Sequence, residues 1–431
     1  MKYYSLHHQS PPVDFRQATI TGQAPDGGLY FPETIPKFSA GFRRELRGLS
    51  KATVALNVMR PYVGSTIPEA DLQRICAEAV DFEFPLVPVA AGVSSLELFH
   101  GPTLAFKDVG ARFMSRCLGH FAKAGDTPPV TVLVATSGDT GGAVASGFLG
   151  VPGVEVVILY PSGKVSPVQE QQLTTLGQNI TALEVTGTFD DCQALVKQAF
   201  LDPELAQRRF LTSANSINVA RWLPQQLYYC FALQQWPADA PVPVVAVPSG
   251  NFGNICAGLL AQASGLGLGH FIAACNANEP VPAYLRSGTY TPRPAVPTFS
   301  NAMDVGNPSN FVRILELFSN DISRLRAALS ADTVSDADTV AAIRQVWEQH
   351  GYLLDPHGAV AYAALRRYQA QHGAAAGFLL ATAHPVKFPA VVEPILGRAI
   401  ELPAVVQALQ GRAKRSVPLA VDYAALKAYL M

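Results

Sequence analysis

Charge, metal-ligand spacing and membrane-length apolar runs are what this sequence has least of. Only 15% of its 431 residues are charged, and the formal net charge is −1. With no long run of one sign, neither nucleic acid nor an anionic membrane surface is indicated as a partner. The six cysteines (Cys76, Cys117, Cys192, Cys230, Cys256 and Cys275) are scattered and form no Cys-x-x-Cys pair. They read as reduced thiols of a cytoplasmic protein, not as a disulfide framework or a zinc site. The nine histidines never adopt His-x-x-x-His spacing, and no Gly-x-Ser-x-Gly elbow occurs, so zinc hydrolysis and the serine-elbow chemistry have no footing. No uncharged apolar stretch reaches about 18 residues, so no membrane span is expected. Residues Met1 to His8 lack the apolar core of a signal peptide. The short sequence ahead of Asp26–Tyr30 leaves little room for an added N-terminal regulatory region. There is no internal repeat, and the only low-complexity tract is the short run Ala374–Ala376.

What the chain does have is apolar material: 49% of it is hydrophobic, enough for a large core and two or three domains. Residues 1–85 form a mainly helical, mixed segment. It contains a turn at Asp26-Gly27-Gly28 leading into a short extended piece, then helices at about 41–60 and 67–80. From Lys107, the apolar positions Val109, Phe113, Cys117, Leu118 and Phe121 recur at three-to-four spacing, which predicts an amphipathic helix from Asp108 onward. Strands are then expected at Val130–Val134, Val154–Tyr160, Ile180–Val185, Val242–Val247, Phe271–Asn276 and Gly377–Ala381. Helices alternate with them at Gly141–Phe148, Pro167–Leu176, Asp190–Phe200, about 217–236, Asn254–Gln262, and about 337–350 and 357–371. Residues 278–312, rich in Pro, Asn, Ser and Gly, read as long loops. The alternation predicts an α/β protein of two open-sheet lobes built from parallel βαβ units, with ligands at the carboxyl ends of the strands.

Six stretches carry polar residues where such chemistry would sit. Lys107 follows Leu104, Ala105 and Phe106, which read as core, and a lysine shielded from water can lose its proton and attack a carbonyl. Thr136-Ser137-Gly138-Asp139-Thr140-Gly141 ends a strand in hydroxyls and glycines as a helix begins, forming either an anion cradle or a tight capped turn. Ser249-Gly250-Asn251-Phe252-Gly253-Asn254 repeats the arrangement. It suits a terminal phosphate, and without a following Lys-Ser/Thr it is not a nucleotide P-loop. Asn215, Ser216, Asn218 and Arg221, together with Ser162 and Lys164, bring hydroxyls, amides and positive charge to two more turns. Each alone could be capping or surface charge; together they could hold a second phosphate. Thr382-Ala383-His384-Pro385 ends another strand, with His384 read as a hydrogen-bonded structural histidine ahead of an acid/base. Gly265-Leu266-Gly267-Leu268-Gly269 follows a helix and precedes a strand, the wrong order for a dinucleotide fingerprint.

A shielded lysine with two anion cradles suggests a cofactor that bears an aldehyde and a phosphate, which pyridoxal 5′-phosphate (PLP) does. The motifs His100-Gly101-Pro102-Thr103-Leu104-Ala105-Phe106-Lys107-Asp108, Ala135-Thr136-Ser137-Gly138-Asp139-Thr140-Gly141, Ser249 to Asn254 and Thr382 to Pro385 resemble threonine synthase, in the branch found in enterobacteria and fungi. The likeness extends from Asp26–Tyr30 through Ala302-Met303-Asp304-Val305, nearly the whole chain.

The resemblance implies the tryptophan-synthase β-like PLP fold (fold type II). A large PLP-binding lobe would come from 86–109 and 215–431, and a small lobe from 110–214. It implies conversion of O-phospho-L-homoserine and water to L-threonine and phosphate, by a monomer. Lys107 would hold PLP as a Schiff base, Gly250, Asn251, Phe252, Gly253 and Asn254 would bind its phosphate, and Thr382 would face its ring nitrogen. Ser137, Gly138, Asp139 and Thr140 would bind the substrate carboxylate. Ser162, Lys164, Asn215, Ser216, Asn218 and Arg221 are candidates for the substrate phosphate. Competing readings are another fold type II lyase, such as a serine/threonine dehydratase or a cysteine synthase, or a non-catalytic PLP- or phosphate-binding relative.

Overall fold

Two mainly parallel sheets carry the chain, and the glycine-rich stretches at 136–141 and 249–254 each leave a sheet at a strand's carboxyl end. A computed structural model describes residues 1–123, 130–373 and 375–431, so Ala374 of the alanine run lies outside the described residues. The larger sheet has the order Leu329–Thr333, Phe271–Cys275, Val244–Pro248, Gly377–Ala381, Val93–Glu97, Leu86–Ala90. It is parallel except for its edge hairpin, Leu86–Ala90 with Val93–Glu97. The smaller sheet runs Val417–Leu419, Ile180–Val185, Val154–Pro161, Val130–Ala135, Phe210–Thr212 and is parallel throughout. Strands such as Val130–Ala135 and Val244–Pro248 are buried at every residue, as strands covered by helices on both faces must be. An N-terminal three-stranded antiparallel sheet of Val13–Asp14, Lys2–Ser5 and Tyr30–Pro32 adjoins these lobes. The Asp26 turn feeds it, with the carboxylate accepting from the Gly28 amide (2.9 Å) and the Ser5 hydroxyl (2.6 Å).

Differences from expectation have local causes. The helix expected over 41–60 is two helices, Ala40–Glu45 and Lys51–Val63, because Ser50 caps a new start by accepting from the Thr53 amide. Pro224 lacks an amide proton, and the segment 217–236 accordingly divides into Val219–Trp222, a 3-10 turn at Leu223–Gln225, and Gln226–Gln235. Within 278–312, expected as loops, Pro280–Ser287 is helical. Its leading proline was a breaker signal but occupies the first helical turn, where a missing N–H costs nothing. The placement of 215–431 wholly in the large lobe also needs correction. Residues 417–419 pair with Ile180–Val185, and the helix Tyr423–Leu430 lies on the smaller sheet through Leu426 and Leu430. This closing segment has short apolar runs that only tertiary pairing turns into a strand.

Leu426 is fully buried there. Leu426→Ala is expected to destabilise the smaller lobe by about 2–5 kcal/mol in denaturant unfolding, the usual cost of a leucine-sized void. A change under about 0.5 kcal/mol would show that the C-terminal helix is not part of that core.

Candidate active site

Lys107 opens the helix Lys107–Lys123 and is held by a turn wound around Asp108. Buried Asp108 accepts hydrogen bonds from the Thr103 amide (2.9 Å) and hydroxyl (2.5 Å). Gly101 is required in that turn, because a Cβ there would lie 2.5 Å from Asp108 Oδ2. Leu104 has a left-handed backbone (φ 58°), a conformation that costs an L side chain about 1–2 kcal/mol. Pairing with a distant strand end offsets it. The Phe106 amide donates to the Thr382 carbonyl (2.9 Å), and the His384 amide to the Leu104 carbonyl (3.0 Å). Residues 104–106 thus run antiparallel to 382–384, with Tyr228 Oη donating to the Phe106 carbonyl at 2.5 Å. Lys107 is half-buried: sheltered, yet still reachable by a ligand.

Its charge environment comes from both lobes. Asp139 Oδ1 accepts from Lys387 Nζ at 2.6 Å and from Gln169 Nε2 at 3.0 Å. Lys387 is fully buried and also donates to the Thr103 carbonyl (2.9 Å), so it bridges Asp139 to the turn that holds Lys107. Burial lowers Lys107 from 10.5 to about 8; Asp139 opposes this, and Lys387 and Arg221 reinforce it. The positive end of the helix that Lys107 begins acts in the same direction. Burial alone would raise Asp139, but the Lys387 and Lys107 charges and the hydrogen bonds from Lys387 and Gln169 hold it below the usual carboxylate range. The result is an amine that readily loses its proton beside a fixed anion, which nucleophilic attack on an aldehyde requires. Lys387 has no role in the sequence reading, although Pro385-Val386-Lys387-Phe388 carries the signal that singled out Lys107: one lysine among apolar neighbours.

In the loop before the helix Asp139–Phe148, Thr136 Oγ1 accepts from the amides of Gly138 (3.0 Å) and Gly141 (2.8 Å). Gly138 has φ 135°, and a Cβ on it would fall within 2.4–2.6 Å of the Gln169 side-chain amide. Asp139 is corrected as a ligand for a substrate carboxylate. Its side chain is an anion already paired with Lys387, and it would repel another anion. Ser137 and Thr140, both half-buried, stay as hydroxyl candidates in that loop.

The second loop is held from behind. Asn251 donates to Ser216 Oγ (2.7 Å) and accepts from the Ser309 amide (2.7 Å) and hydroxyl (2.8 Å), so its side chain is a tether. Phe252 is left-handed (φ 60°), and a Cβ on Gly250 would meet Met303 Cα at 2.5 Å. The helix Gly253–Ala263 starts here with amide groups that have no acceptor inside the helix. Asn254 accepts from Tyr229 Oη at 2.9 Å while its buried Nδ2 has no partner among the described residues. An unpaired buried donor beside a helix start, in a loop that must be glycine at 250, fits the phosphate of PLP. Thr382 follows the strand Gly377–Ala381, which pairs in parallel with Val244–Pro248 ahead of this loop, and is 7% exposed.

The remaining candidates separate. Arg221 is buried, donates to the Ala214 carbonyl, has no partner for Nε among the described residues, and influences Lys107 electrostatically. Asn215 is half-buried, its amide bonded to Ser213 Oγ. Asn218 is corrected. It caps the helix Val219–Trp222 through Oδ1, and its Nδ2 donates to the Thr19 and Ser213 carbonyls, so the amide is fully committed to backbone. Ser216 Oγ faces the Asn251 loop. Ser162 donates to Glu184 (2.7 Å) and Lys164 is exposed beside it, in a cluster where Lys414 bridges Glu170 and Glu184 at 2.8 Å each. His384 caps the 3-10 turn Pro385–Lys387 by accepting from the Val386 amide, and burial lowers it to about 4, in keeping with a structural histidine. Among the described residues, no group of side chains could hold a metal ion.

In the cofactor-free protein, competitive amine labelling of Lys107 should titrate with a midpoint near pH 8. Asp139→Asn removes the opposing negative charge and should move that midpoint lower. An ordinary midpoint near 10.5 would contradict the burial described here.

Comparison with known proteins accords with this geometry. The family pattern for “Pyridoxal-phosphate dependent enzyme” matches residues 95–380, “Threonine synthase N terminus” residues 2–80, and “Threonine synthase, C-terminal” residues 358–430. The chain is 46% identical to threonine synthase of Escherichia coli (strain K12) over 432 residues, covering 100% of this chain and 99% of that protein. The crystal structure of threonine synthase from Escherichia coli superposes with a TM-score of 0.93 at 45% identity, covering 100% and 99% of the two chains. PLP-bound threonine synthase from Brucella melitensis gives 0.94 at 39%, covering 100% and 98%. The chain belongs to the threonine synthase family of pyridoxal-phosphate dependent enzymes.

Proposed function

We propose that the chain uses Lys107 and PLP to convert O-phospho-L-homoserine and water into L-threonine and phosphate. The observation that carries this reading is a readily deprotonated, half-buried Lys107 placed with Asp139 and Lys387, next to strand ends that carry two glycine-rich anion cradles. Lys107 Nζ would hold the cofactor, Gly250 to Asn254 its phosphate, and the Thr382 hydroxyl its ring nitrogen. Bound PLP supplies an electron sink for negative charge developing next to the substrate's amino-bearing carbon. A hydroxyl at the ring nitrogen makes that sink milder than a carboxylate would.

Amine exchange with the substrate would free Lys107 to serve as base: it would take the Cα proton, pass it on, and then take a proton from Cβ. Phosphate would depart from Cγ, Cγ would gain a proton, and water would add at Cβ as Cα regains its own. Asp139 stabilises the ammonium that forms each time Lys107 takes a proton, since its anion is fixed by Lys387 and Gln169. Ser137, Gly138 and Thr140 take the substrate carboxylate. Arg221 is assigned to the substrate phosphate, because its buried guanidinium keeps an unpaired Nε in the Lys107 cluster. Asn215 and Lys164 are secondary donors; the Ser162 hydroxyl, whose one proton goes to Glu184, is not among them. Cationic groups at the leaving phosphate favour its departure and discriminate against homoserine, which lacks it. We place the protein in the cytoplasm, on the strength of its six buried free thiols, and assign it a monomeric state from the family likeness.

Purified protein given PLP and O-phospho-L-homoserine should release threonine and phosphate in equal amounts. Lys107→Ala should reduce both by at least about 10³-fold, within the range lost with a general base and larger where the covalent anchor is also lost. Phosphate without threonine would indicate a γ-eliminating lyase, and neither product would indicate a binding protein.

A further inference from the structure

Arg313 is fully buried, and among the described residues no carboxylate pairs with it. All five of its N–H donors are nonetheless used. Nε and one NH2 proton reach the Tyr30 carbonyl (3.2 and 3.0 Å), and the other NH2 proton reaches the Ile217 carbonyl (2.6 Å). The NH1 protons go to the Ser216 carbonyl (3.0 Å) and Asn310 Oδ1 (2.7 Å). The guanidinium lies over the Trp222 ring at 4.3 Å. Burial draws it down to about 10, the cost of keeping a cation without a counter-ion.

The far side of this network is the glycine-rich loop. Asn310, oriented by Arg313, donates through Nδ2 to Ser216 Oγ (3.0 Å), and Asn251 donates to the same oxygen (2.7 Å). The Asn310 amide reaches the Asn251 carbonyl (3.3 Å). A Cβ on Gly253 would sit 3.3 Å from Asn310 Nδ2 and 3.4 Å from Ser216 Cβ, so this hub touches the first residue of the helix that follows the loop. A buried positive charge and a hydroxyl hub therefore stand behind the amides of 250–254, and an anion in front of those amides would supply the missing counter-charge.

We infer that Arg313, acting through Asn310 and Ser216, is a positioning residue that shapes residues 250–254 for a phosphate and favours its dianionic form. This rests on the proposed reading that 250–254 hold the cofactor phosphate. It gives Ser216 a role in cofactor retention in place of substrate binding. It also makes Tyr30 of the N-terminal segment part of the support of the site, through its carbonyl.

The test compares PLP with pyridoxal, which has the same aldehyde and ring but no phosphate. Equilibrium titrations of the cofactor-free wild-type protein, Ser216→Ala, Arg313→Lys and Gly250→Ala are followed by intrinsic fluorescence. Folding is checked by circular dichroism and melting. In Ser216→Ala and Arg313→Lys the Kd for PLP should rise at least about tenfold while that for pyridoxal changes less than about twofold. The bound PLP phosphate should also shift in its phosphorus resonance. Equal weakening of both ligands means a merely structural tie and overturns the inference, as does an unchanged PLP preference in either variant while folded. Should Arg313→Lys fail to fold, Ser216→Ala decides, since it deletes only one hydroxyl. Gly250→Ala tests the underlying reading. If it leaves the preference for PLP intact, the loop is not the phosphate site. If it abolishes the preference while Ser216→Ala does not, only the present inference fails.

Discussion

Two backbone hydrogen bonds, from the Phe106 amide to the Thr382 carbonyl and from the His384 amide to the Leu104 carbonyl, join segments nearly 280 residues apart and set the position of Lys107. Neither segment could hold its shape alone: Leu104 is left-handed, and Thr382 follows the last residue of a central strand. Once paired, they fix the direction in which the lysine leaves its helix start and bring Lys387 beneath it. Lys387 then closes the arrangement by bonding both the Thr103 carbonyl and Asp139. The larger sheet, the turn before the Lys107 helix and the first loop of the smaller lobe are thus coupled through one buried ammonium.

The electrostatics of the site follow from that coupling. Two lysines and Arg221 surround one carboxylate, and burial, reinforced by the charges of Lys387 and Arg221, lowers Lys107, the group left partly accessible. Lys387 is fully enclosed and bonded to an anion and a carbonyl, so its charge is compensated. Burying an ion pair of this kind adds little net stability, and removing one partner leaves the other stranded. Its value lies in holding Asp139 as a fixed anion beside an amine that has to gain and lose protons. Arg313 plays a comparable part behind the second loop, where backbone carbonyls and an aromatic face take the place of a carboxylate.

The sequence made the parallel αβ alternation legible because short apolar runs bounded by glycine, proline and hydroxyl residues mark fully buried strands. Lys107 stands out as a lysine among apolar neighbours at a helix start, and the loops at 136–140 and 249–254 and Thr382 stand out because each breaks the apolar pattern where a strand stops. The hairpin Leu86–Glu97 did not stand out. Pro88 and the pair Ser94-Ser95 interrupt its pattern, and only tertiary pairing makes its strands: Val93–Glu97 beside Gly377–Ala381, and Leu86–Ala90 at the edge, where Pro88 is tolerated. Segment 417–430 was misplaced for a related reason, since lobe membership is set by which strand it meets. Asn218 and Ser216 look alike in sequence as polar residues at a helix start. Only coordinates distinguish an amide spent on backbone carbonyls from a hydroxyl facing a ligand loop.

On the proposed reading, this geometry selects Lys107, out of all the lysines, as the residue that takes the cofactor aldehyde. Reducing the PLP-loaded protein with borohydride makes that linkage permanent, and peptide mass spectrometry then locates it. A single modified residue, Lys107, is expected. A label on Lys387 or any other lysine, or no label at full PLP occupancy, would contradict it.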